Sequence, residues 1–188
     1  MISPPEFAVS VLDTLSAAGF SAYFVGGCVR DTMMSRRVSD WDAAASALPH
    51  EVMALFRKTA PTGIRYGTVT VFCGENKVEV TSFRQEAGYD GRRPAAVRFG
   101  ADISRDLSRR DFTVNAMAMG ARGGIIDPFG GMADIERRLI RAVGAPSVRF
   151  CEDALRMLRA LRFSAQLGFA IERETRAAIR ECAHLARA

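Results

Sequence analysis

The sequence predicts a mixed α/β (α+β) fold that is followed by an all-helical C-terminal segment. Residues 68–73 (TVTVFC) and 77–83 (KVEVTSF) alternate apolar and polar side chains across a short Gly-containing turn, which predicts a β-hairpin. Residues 5–18 carry apolar side chains at helical spacing, and the pattern is helical again from Pro146 onward. Strands and helices therefore alternate early in the chain, and helices alone follow.

The remaining elements follow from turn residues and short apolar runs. In chain order they are a stop for the first helix at Gly19, a strand over 20–25, a strand that contains Asp40-Trp41-Asp42, a helix that begins at Pro49, a long mobile loop over 84–100, a helix over 103–117 and a turn at 127–131 (DPFGG). We expect two domains: residues 1–145, and the start of a helical domain over 146–188.

Composition excludes several classes of protein. The 188 residues are 48% hydrophobic and 25% charged, which is ordinary for a globular protein, and no apolar run reaches the ~18 residues of a membrane span. The four cysteines are scattered without a C-x-x-C pair, so we expect reduced thiols and a cytoplasmic location. His50 and His184 are the only histidines, which argues against a zinc site or a His-based triad. Any catalytic metal would be bound by oxygen.

The positive charge comes almost entirely from arginine. The net charge is +5, and Lys58 and Lys77 are the only lysines. A GC-rich genome explains this composition, and so does recognition of phosphates or bases by the guanidinium fork. Composition does not separate the two explanations.

Two acids and a glycine pair predict a metal-assisted phosphate site. Asp40 and Asp42 are two apart on a predicted strand, so they face the same side as like charges. The preceding strand ends in Gly26-Gly27, whose backbone N–H groups can approach an anion, and Arg30 follows within one turn. Because Mg²⁺ would supply the charge that lets both acids coexist, this pattern indicates binding of a nucleoside triphosphate through Mg²⁺.

A third acid, Glu79, lies on the opposite face of its strand from Val78 and Val80. An exposed strand face explains it, and so does a role as an additional metal ligand.

The segment Glu152-Asp153-Ala154-Leu155-Arg156 predicts a helix start, on which Asp153 and Arg156 would share one face at i and i+3. An ordinary salt bridge is one interpretation. The other is base selection: cytosine and adenine present an amino donor beside a ring acceptor, and an Asp and Arg pair offers the complement. Uracil and guanine present the reverse order and would leave unmatched hydrogen-bonding groups.

Leu155, Leu158 and Leu161 are predicted to form the stripe of this helix that packs in the core.

A series of motifs resembles the head domain of class II tRNA nucleotidyltransferases, the CCA-adding enzymes, which share a superfamily with bacterial poly(A) polymerases. The motifs, in order over about residues 20 to 170, are FVGGCVRD (24–31), D-x-D followed by A-x-x-A-L-P (40–49), GTVTV (67–71), VEVTSFR (78–84), YDGRRP (89–94), RRDFTVNA (109–116), IDPFGG (126–131) and EDALRMLRALRF (152–163).

The resemblance implies a polymerase-β-like nucleotidyltransferase head followed by a helical neck. It also implies Mg²⁺-dependent addition of nucleotides from CTP and ATP, with two ions, to the 3′ end of tRNA without a nucleic-acid template. The implied roles are metal binding for Asp40 and Asp42, triphosphate binding for Gly26, Gly27 and Arg30, sugar and phosphate binding for Arg109, Arg110 and Asp111, and base recognition for Asp153 and Arg156. Glu79 as a further metal ligand and Arg159 as a further base contact are hypotheses that rest on their positions in the sequence. A structural or RNA-facing role fits Arg159 equally well. In the family, a body and a tail that grip tRNA follow this region, and the loop around 89–94 is associated with the switch from C to A addition.

Other activities share some of these features. Enzymes that add only C, enzymes that add only A, and poly(A) polymerases carry the same motifs. A basic RNA-binding module without catalysis would have lost an acid at a metal position, whereas Asp40 and Asp42 are both present. A nucleotidyltransferase that modifies a small molecule leaves Asp153, Arg156 and the surplus of arginine unexplained.

Overall fold

The computed structural model describes residues 3–90, 93–100 and 102–187, and within them a seven-stranded mixed sheet forms the centre of the fold. The strands, numbered along the chain, are β1 (Ala22–Val25), β2 (Trp41–Ala45), β3 (Thr59–Gly63), β4 (Thr68–Cys73), β5 (Asn76–Ser82), β6 (Arg84–Asp90), β7 (Arg93–Phe99), β8 (Ala118–Met119), β9 (Ile125–Ile126), β10 (Leu139–Ile140) and β11 (Ala170–Ile171). The α-helices are α1 (Glu6–Ala17), α2 (Gly27–Met33), α3 (Pro49–Leu55), α4 (Ile103–Ser108), α5 (Gly131–Glu136), α6 (Pro146–Glu152), α7 (Leu155–Leu167) and α8 (Arg173–Cys182). Short 3₁₀ helices occur at Ile64–Tyr66, Thr113–Asn115 and Ala183–Arg187. No helix among the described residues is long and apolar enough to cross a membrane.

The central sheet has the strand order β3-β4-β5-β2-β1-β8-β9. Strands β2 and β5 run parallel, and the other neighbours in this sheet are antiparallel. The predicted hairpin is confirmed as β4 and β5, which turn at Gly74 with φ +64°. The parallel register places Asp42 opposite Glu79, so two predicted site acids lie on adjacent strands.

The first core lies between α1 and the central sheet. Val11, Leu12 and Leu15 are fully buried on one face of α1, as the helical spacing of apolar residues predicts. The rings of Phe24 and Trp41 meet edge to face with their centroids 4.9 Å apart, and they anchor β1 against β2. Full burial of an apolar side chain in this core contributes about 1.5–3 kcal/mol to the stability of the fold. This core fixes the two strands whose ends carry Gly26 and Asp42.

A second core joins the two predicted domains. Phe112 and Ile140, which precede residue 146, pack with Ala160 and Phe163 of α7. Strands β10 and β11 also pair in parallel across the predicted boundary. The division at 145/146 stays a prediction, and the contacts across it hold α7 against the site described below.

The segment 84–100 is not the long loop that its glycine, proline and arginine content predicts. Strands β6 and β7 pair as an antiparallel hairpin, and its turn residues, 91–92, lie outside the described residues. One local and one distant ion pair hold its base: Glu86 pairs with Arg84 of the same strand at 2.7 Å and with Arg109 at 3.1 Å. At the other end, a Cβ on Gly67 would lie 2.5 Å from the Phe99 ring, so that ring packs directly on the glycine backbone. Local composition does not reveal these contacts.

The predicted helix over 103–117 is also wrong beyond its first turns, because α4 ends at Ser108. The Asp111 carboxylate accepts hydrogen bonds from the backbone N–H of Phe112 at 2.8 Å and from Asn115 Nδ2 at 3.2 Å. Such local side-chain bonds compete with helix propagation. The chain then forms a 3₁₀ turn and enters β8.

The core stripe predicted for α7 is wrong. Leu155, Leu158 and Leu161 are exposed, with 38%, 53% and 51% of their surface accessible. The buried face is formed instead by Met157, Ala160, Phe163 and Leu167. Both sets repeat at helical spacing, but the second set continues into Phe169, which packs in the second core. Spacing alone did not distinguish the two faces.

Truncation of a side chain should therefore destabilise the protein on the buried face of α7 and have little effect on its exposed face. We expect Met157→Ala to lower the free energy of unfolding by about 2–5 kcal/mol because it opens a cavity in a packed core. The matched Leu158→Ala should change it by no more than about 0.5 kcal/mol, as is usual for surface positions. Urea denaturation of both variants measures this, and a larger loss for Leu158→Ala would contradict the assignment of faces.

Candidate active site

One cavity of about 390 Å³ gathers most of the residues predicted from the motifs. Its lining residues are Gly26, Gly27, Arg30, Asp42, Arg109, Arg110, Asp111, Asn115, Asp153, Arg156, Arg159 and Phe163. A neighbouring cavity of about 230 Å³ is lined by Asp40, Trp41, Asp42, Lys77 and Glu79. Asp42 lines both cavities, so we treat them together as one candidate site. Residues more than a hundred positions apart in the chain meet there.

The acidic part of the site lies where β2 begins. Asp40 precedes the strand and is exposed, whereas Asp42 lies within it and is partly buried. Burial raises the pKa of Asp42, and the neighbouring carboxylates of Glu79 and Asp40 raise it further. The guanidinium of Arg110 opposes this shift. The site therefore disfavours its own negative charge and would be stabilised by a bound cation.

The donor set fits a cation that is also held by a substrate. Among the described residues, no group of three or more His, Cys, Asp or Glu side chains is arranged to hold a metal ion. Mg²⁺ is commonly bound by one or two carboxylates together with substrate phosphates. Asp40 and Asp42 fit that mode beside the cavity, while the exposed Glu79 stays a prediction as a third ligand.

The glycine pair lies at the junction of β1 and α2. Gly26 has φ +75°, in the region that favours glycine, and a Cβ there would lie 3.0 Å from Arg110 Nη1. Arg30 is fixed nearby: it donates from Nε and Nη2 to Asp31 at 3.0 and 2.8 Å, and from Nη1 to Asn115 Oδ1 at 2.8 Å. The bare backbone and the oriented guanidinium provide donors for an anion.

The residues Arg109, Arg110 and Asp111 follow α4 and all reach the main cavity. Both arginines form ion pairs with the buried Asp106, at 2.7 and 3.2 Å. The Asp111 carboxylate forms an ion pair with Arg159 at 2.7 Å, which links this segment to α7.

Asp153 and Arg156 line the same cavity but do not share a helix, contrary to expectation. Asp153 ends α6 in an extended conformation (φ −151°, ψ 105°), and its Oδ1 accepts the N–H of Leu155 at 3.0 Å. Arg156 lies in α7 and pairs instead with Glu152 at 2.7 Å. A salt bridge between Asp153 and Arg156, the simpler interpretation of their spacing, is not formed. Asp153 accordingly keeps its Oδ2 without a partner among the described residues.

Phe163 lies at the floor of the cavity and contacts three guanidinium groups. Arg30, Arg159 and Arg162 have their Cζ atoms 5.3, 5.2 and 5.1 Å from its ring centroid. These are cation–π distances, and the ring is itself braced by Phe112. Phe163 therefore brings one arginine of α2 and two arginines of α7 around a single ring.

Sequence reasoning missed several supporting residues. Asn115 and Phe163 lie inside the motifs at 109–116 and 152–163, but their residue types alone do not predict a role in the site. Asp106 precedes Arg109 and Arg110 by three and four positions, a helical spacing that could have identified it. Glu86 has a local partner in Arg84, but its contact with the site residue Arg109 spans 23 positions and could not be read from the sequence.

Comparison with known proteins places this geometry in a family context. Residues 22–141 match the Poly A polymerase head domain family. A CCA-adding enzyme of Lactiplantibacillus plantarum is 52% identical over 185 residues, which is 97% of this chain and 46% of that protein. The crystal structure of the Bacillus stearothermophilus CCA-adding enzyme in complex with CTP superposes with a TM-score of 0.88 at 47% identity, over 95% of this chain and 43% of that one.

A tRNA nucleotidyltransferase complexed with a primer tRNA and an incoming ATP analog superposes with a TM-score of 0.76 at 33% identity, over 94% of this chain and 50% of that one. The chain thus spans about half the length of the relatives it matches.

The ion pairs around the site predict sensitivity to acid. Burial alone would raise the pKa of Asp106, but Arg109 and Arg110 hold the pKa of that carboxyl below its ordinary value. A lowered pKa stabilises the fold above the unfolded value of about 3.9, and this stability is lost as pH falls through the folded value. We expect the free energy of unfolding to fall below about pH 4, and to fall less steeply in Asp106→Asn.

Urea denaturation between pH 7 and pH 3 measures both slopes, with the exposed Asp102→Asn on the same helix as the control. Equal slopes in the native protein and in Asp106→Asn would contradict this interpretation of the cluster.

Proposed function

The chain belongs to the Poly A polymerase head domain family, and within that family we propose that it is the nucleotide-binding part of a CCA-adding tRNA nucleotidyltransferase. One observation carries the proposal: a single cavity combines Gly26 and Arg30, the acid Asp42, and the pair Asp153 and Arg156. These groups suit a triphosphate, a metal and a base respectively. CCA-adding enzymes that resemble more than nine-tenths of this chain support it.

The proposed reaction is attack of the tRNA 3′-hydroxyl on the α-phosphate of CTP or ATP. A P–O bond forms to the RNA, the bond to the β-phosphate breaks, and pyrophosphate leaves. Asp40 and Asp42 would hold Mg²⁺, with Glu79 as a further ligand. When bound, the ion supplies positive charge that lowers the pKa of the attacking hydroxyl and offsets charge on the leaving group.

The protein's own side chains bind and orient the nucleotide. Arg30 and the N–H groups at Gly26 and Gly27 face the triphosphate, and their charge and dipoles are fixed before binding. Asp111 accepts a hydrogen bond from the ribose, and Arg110 contacts a phosphate. Because these groups are already held by Asn115, Asp106 and Arg159, little reorganisation accompanies binding.

Base selection follows from the separated positions of Asp153 and Arg156. Asp153 Oδ2 accepts from the exocyclic amino group of cytosine or adenine, and Arg156 donates to the adjacent ring nitrogen. Arg156 Nη1 donates to Glu152 and to the carbonyl of Arg149, and Nη2 donates to the carbonyl of Arg109. Its Nε and the second N–H of Nη2 are left for the base. Uracil and guanine would place a carbonyl against Asp153 and an N–H against Arg156.

We further expect the protein to act in the cytoplasm, where tRNA is matured.

Binding of the four nucleotides tests base selection without tRNA. In the presence of Mg²⁺, we expect CTP and ATP to bind this chain at least about tenfold more tightly than UTP and GTP, since an unmatched buried pair costs about 1–3 kcal/mol. Asp153→Ala should remove this preference. Isothermal titration calorimetry measures all eight dissociation constants.

Glu181→Ala, an exposed acid on α8, is the control and should keep the preference. Equal binding of all four nucleotides to the native chain would overturn the assignment of Asp153 and Arg156. Binding of ATP alone would favour a poly(A) or A-only enzyme, and binding of CTP alone a C-only enzyme.

Removal of the metal tests the acidic part of the site. We expect EDTA to weaken CTP binding to the native chain by about tenfold or more, because phosphate oxygens lose a shared cation. Asp42→Asn should bind CTP weakly with Mg²⁺ and show no further loss with EDTA. Fluorescence titration of CTP in both buffers measures this. A native chain that is indifferent to EDTA would contradict metal binding at Asp42.

A further inference from the structure

Asp106 is a fully buried carboxylate on which two cavity arginines converge. Its Oδ1 accepts from Arg109 Nε and Nη2 at 3.0 and 2.7 Å. Its Oδ2 accepts from Arg110 Nη2 at 3.2 Å, and Oδ1 also accepts the backbone N–H of Arg84 at 3.3 Å. Four donors thus satisfy one buried charge, and Asp106 itself does not line the cavity.

The two arginines differ in how many of their donors are used. Arg109 donates from Nε and Nη2 to Asp106 and from Nη1 to Glu86 Oε1 at 3.1 Å, so all three of its nitrogens engage carboxylates. Its carbonyl oxygen also accepts from Arg156 Nη2 at 3.1 Å. Arg109 is therefore integrated into the protein framework between β6 and α7.

Arg110 contacts a single carboxylate, that of Asp106, through Nη2, and its Nε and Nη1 donate to no carboxylate among the described residues. Its Nε is buried without a hydrogen-bond partner among the described residues. Its Nη1 is the group that a Cβ on Gly26 would approach to 3.0 Å, so this nitrogen lies against the glycine turn. Its positive charge also acts on the carboxylate of Asp42. Arg110 thus lies between the acid and the glycines, where a triphosphate would bind.

We propose that Asp106 is a positioning residue that gives the two arginines different roles. It holds Arg109 within the protein framework, and it holds Arg110 by one amino group so that Nη1, beside Gly26, faces the triphosphate. A side chain at Gly26 would crowd Arg110 Nη1 and displace it slightly. This inference rests on the proposed function, and it adds the buried acid that orients Arg110 and keeps Arg109 out of contact with the phosphates.

A merely structural role for Asp106 makes a different prediction. Removing one partner of a buried ion pair destabilises a protein whatever the site does. Loss of stability in Asp106→Asn would therefore not distinguish the two roles. The ratio of the dissociation constants for CMP and CTP does distinguish them, because it reports the contribution of the β- and γ-phosphates. A general loosening of the site would weaken the binding of CMP and CTP alike and leave this ratio unchanged.

The experiment measures CTP and CMP binding with Mg²⁺ to the native chain and to four variants. Arg110→Gln should weaken CTP about tenfold or more and CMP less than about threefold, so the ratio falls. Asp106→Asn should lower the ratio in the same direction. Arg109→Gln should lower the melting temperature and weaken both ligands equally, leaving the ratio unchanged. Asp102→Asn, whose exposed partner is Arg105, should change neither ligand.

A double variant links the two residues. If Asp106 acts through Arg110, Asp106→Asn combined with Arg110→Gln should bind CTP no more weakly than Arg110→Gln alone. If Asp106→Asn does not fold, Arg110→Gln and Arg109→Gln still decide the division of roles. An unchanged ratio in Arg110→Gln, a ratio that falls in Arg109→Gln, or fully additive losses in the double variant would overturn the proposal. Failure of the native chain to bind CTP would instead overturn the proposed function.

Discussion

Every arginine that lines the main cavity is paired with a carboxylate, and this constraint organises the site. The pairs are Arg30 with Asp31, Arg109 with Asp106, Arg110 with Asp106, Arg156 with Glu152 and Arg159 with Asp111. A guanidinium group that is partly removed from water needs a partner, and each partner fixes the direction of the fork. Five guanidinium groups can therefore line one cavity, because their carboxylate partners offset the repulsion between them.

This arrangement would prepare the proposed triphosphate site before a nucleotide binds. Free arginines would lose side-chain entropy when they gather around a phosphate. Here that cost is met during folding, since the carboxylates and the Phe163 ring already hold the guanidinium groups. The same pairing limits the net positive charge of the cavity, so Asp42 can remain among the arginines. The parallel pairing of β2 with β5 then brings Glu79 beside it from the neighbouring strand.

The predicted α/β fold class is confirmed, and most of the residues named from the motifs line one cavity, but the contacts that hold them there could not be predicted. Motif residues such as Gly26 and Asp153 are recognisable because their chemistry fixes their identity and local spacing. Their partners are distant: Arg30 meets Asn115 across 85 positions, and Arg159 meets Asp111 across 48. Tertiary ion pairs also turned a predicted loop into the β6 and β7 hairpin. On α7, two apolar stripes competed, and contact with Phe112 and Phe169 decided which one is buried.

The break between α6 and α7 shows why a locally reasonable helix would have worked against the site. In a continuous helix, Asp153 would stand one turn before Arg156, and the two would neutralise each other at i and i+3. The extended conformation at Asp153 prevents this, and Glu152 at i−4 takes over as the partner of Arg156. The charge of Arg156 is thus compensated from within its own neighbourhood, while Asp153 Oδ2 keeps its capacity to accept. An acceptor and a donor that do not satisfy each other are what recognition of a base edge requires, and the interruption of the helix is the feature that keeps them apart.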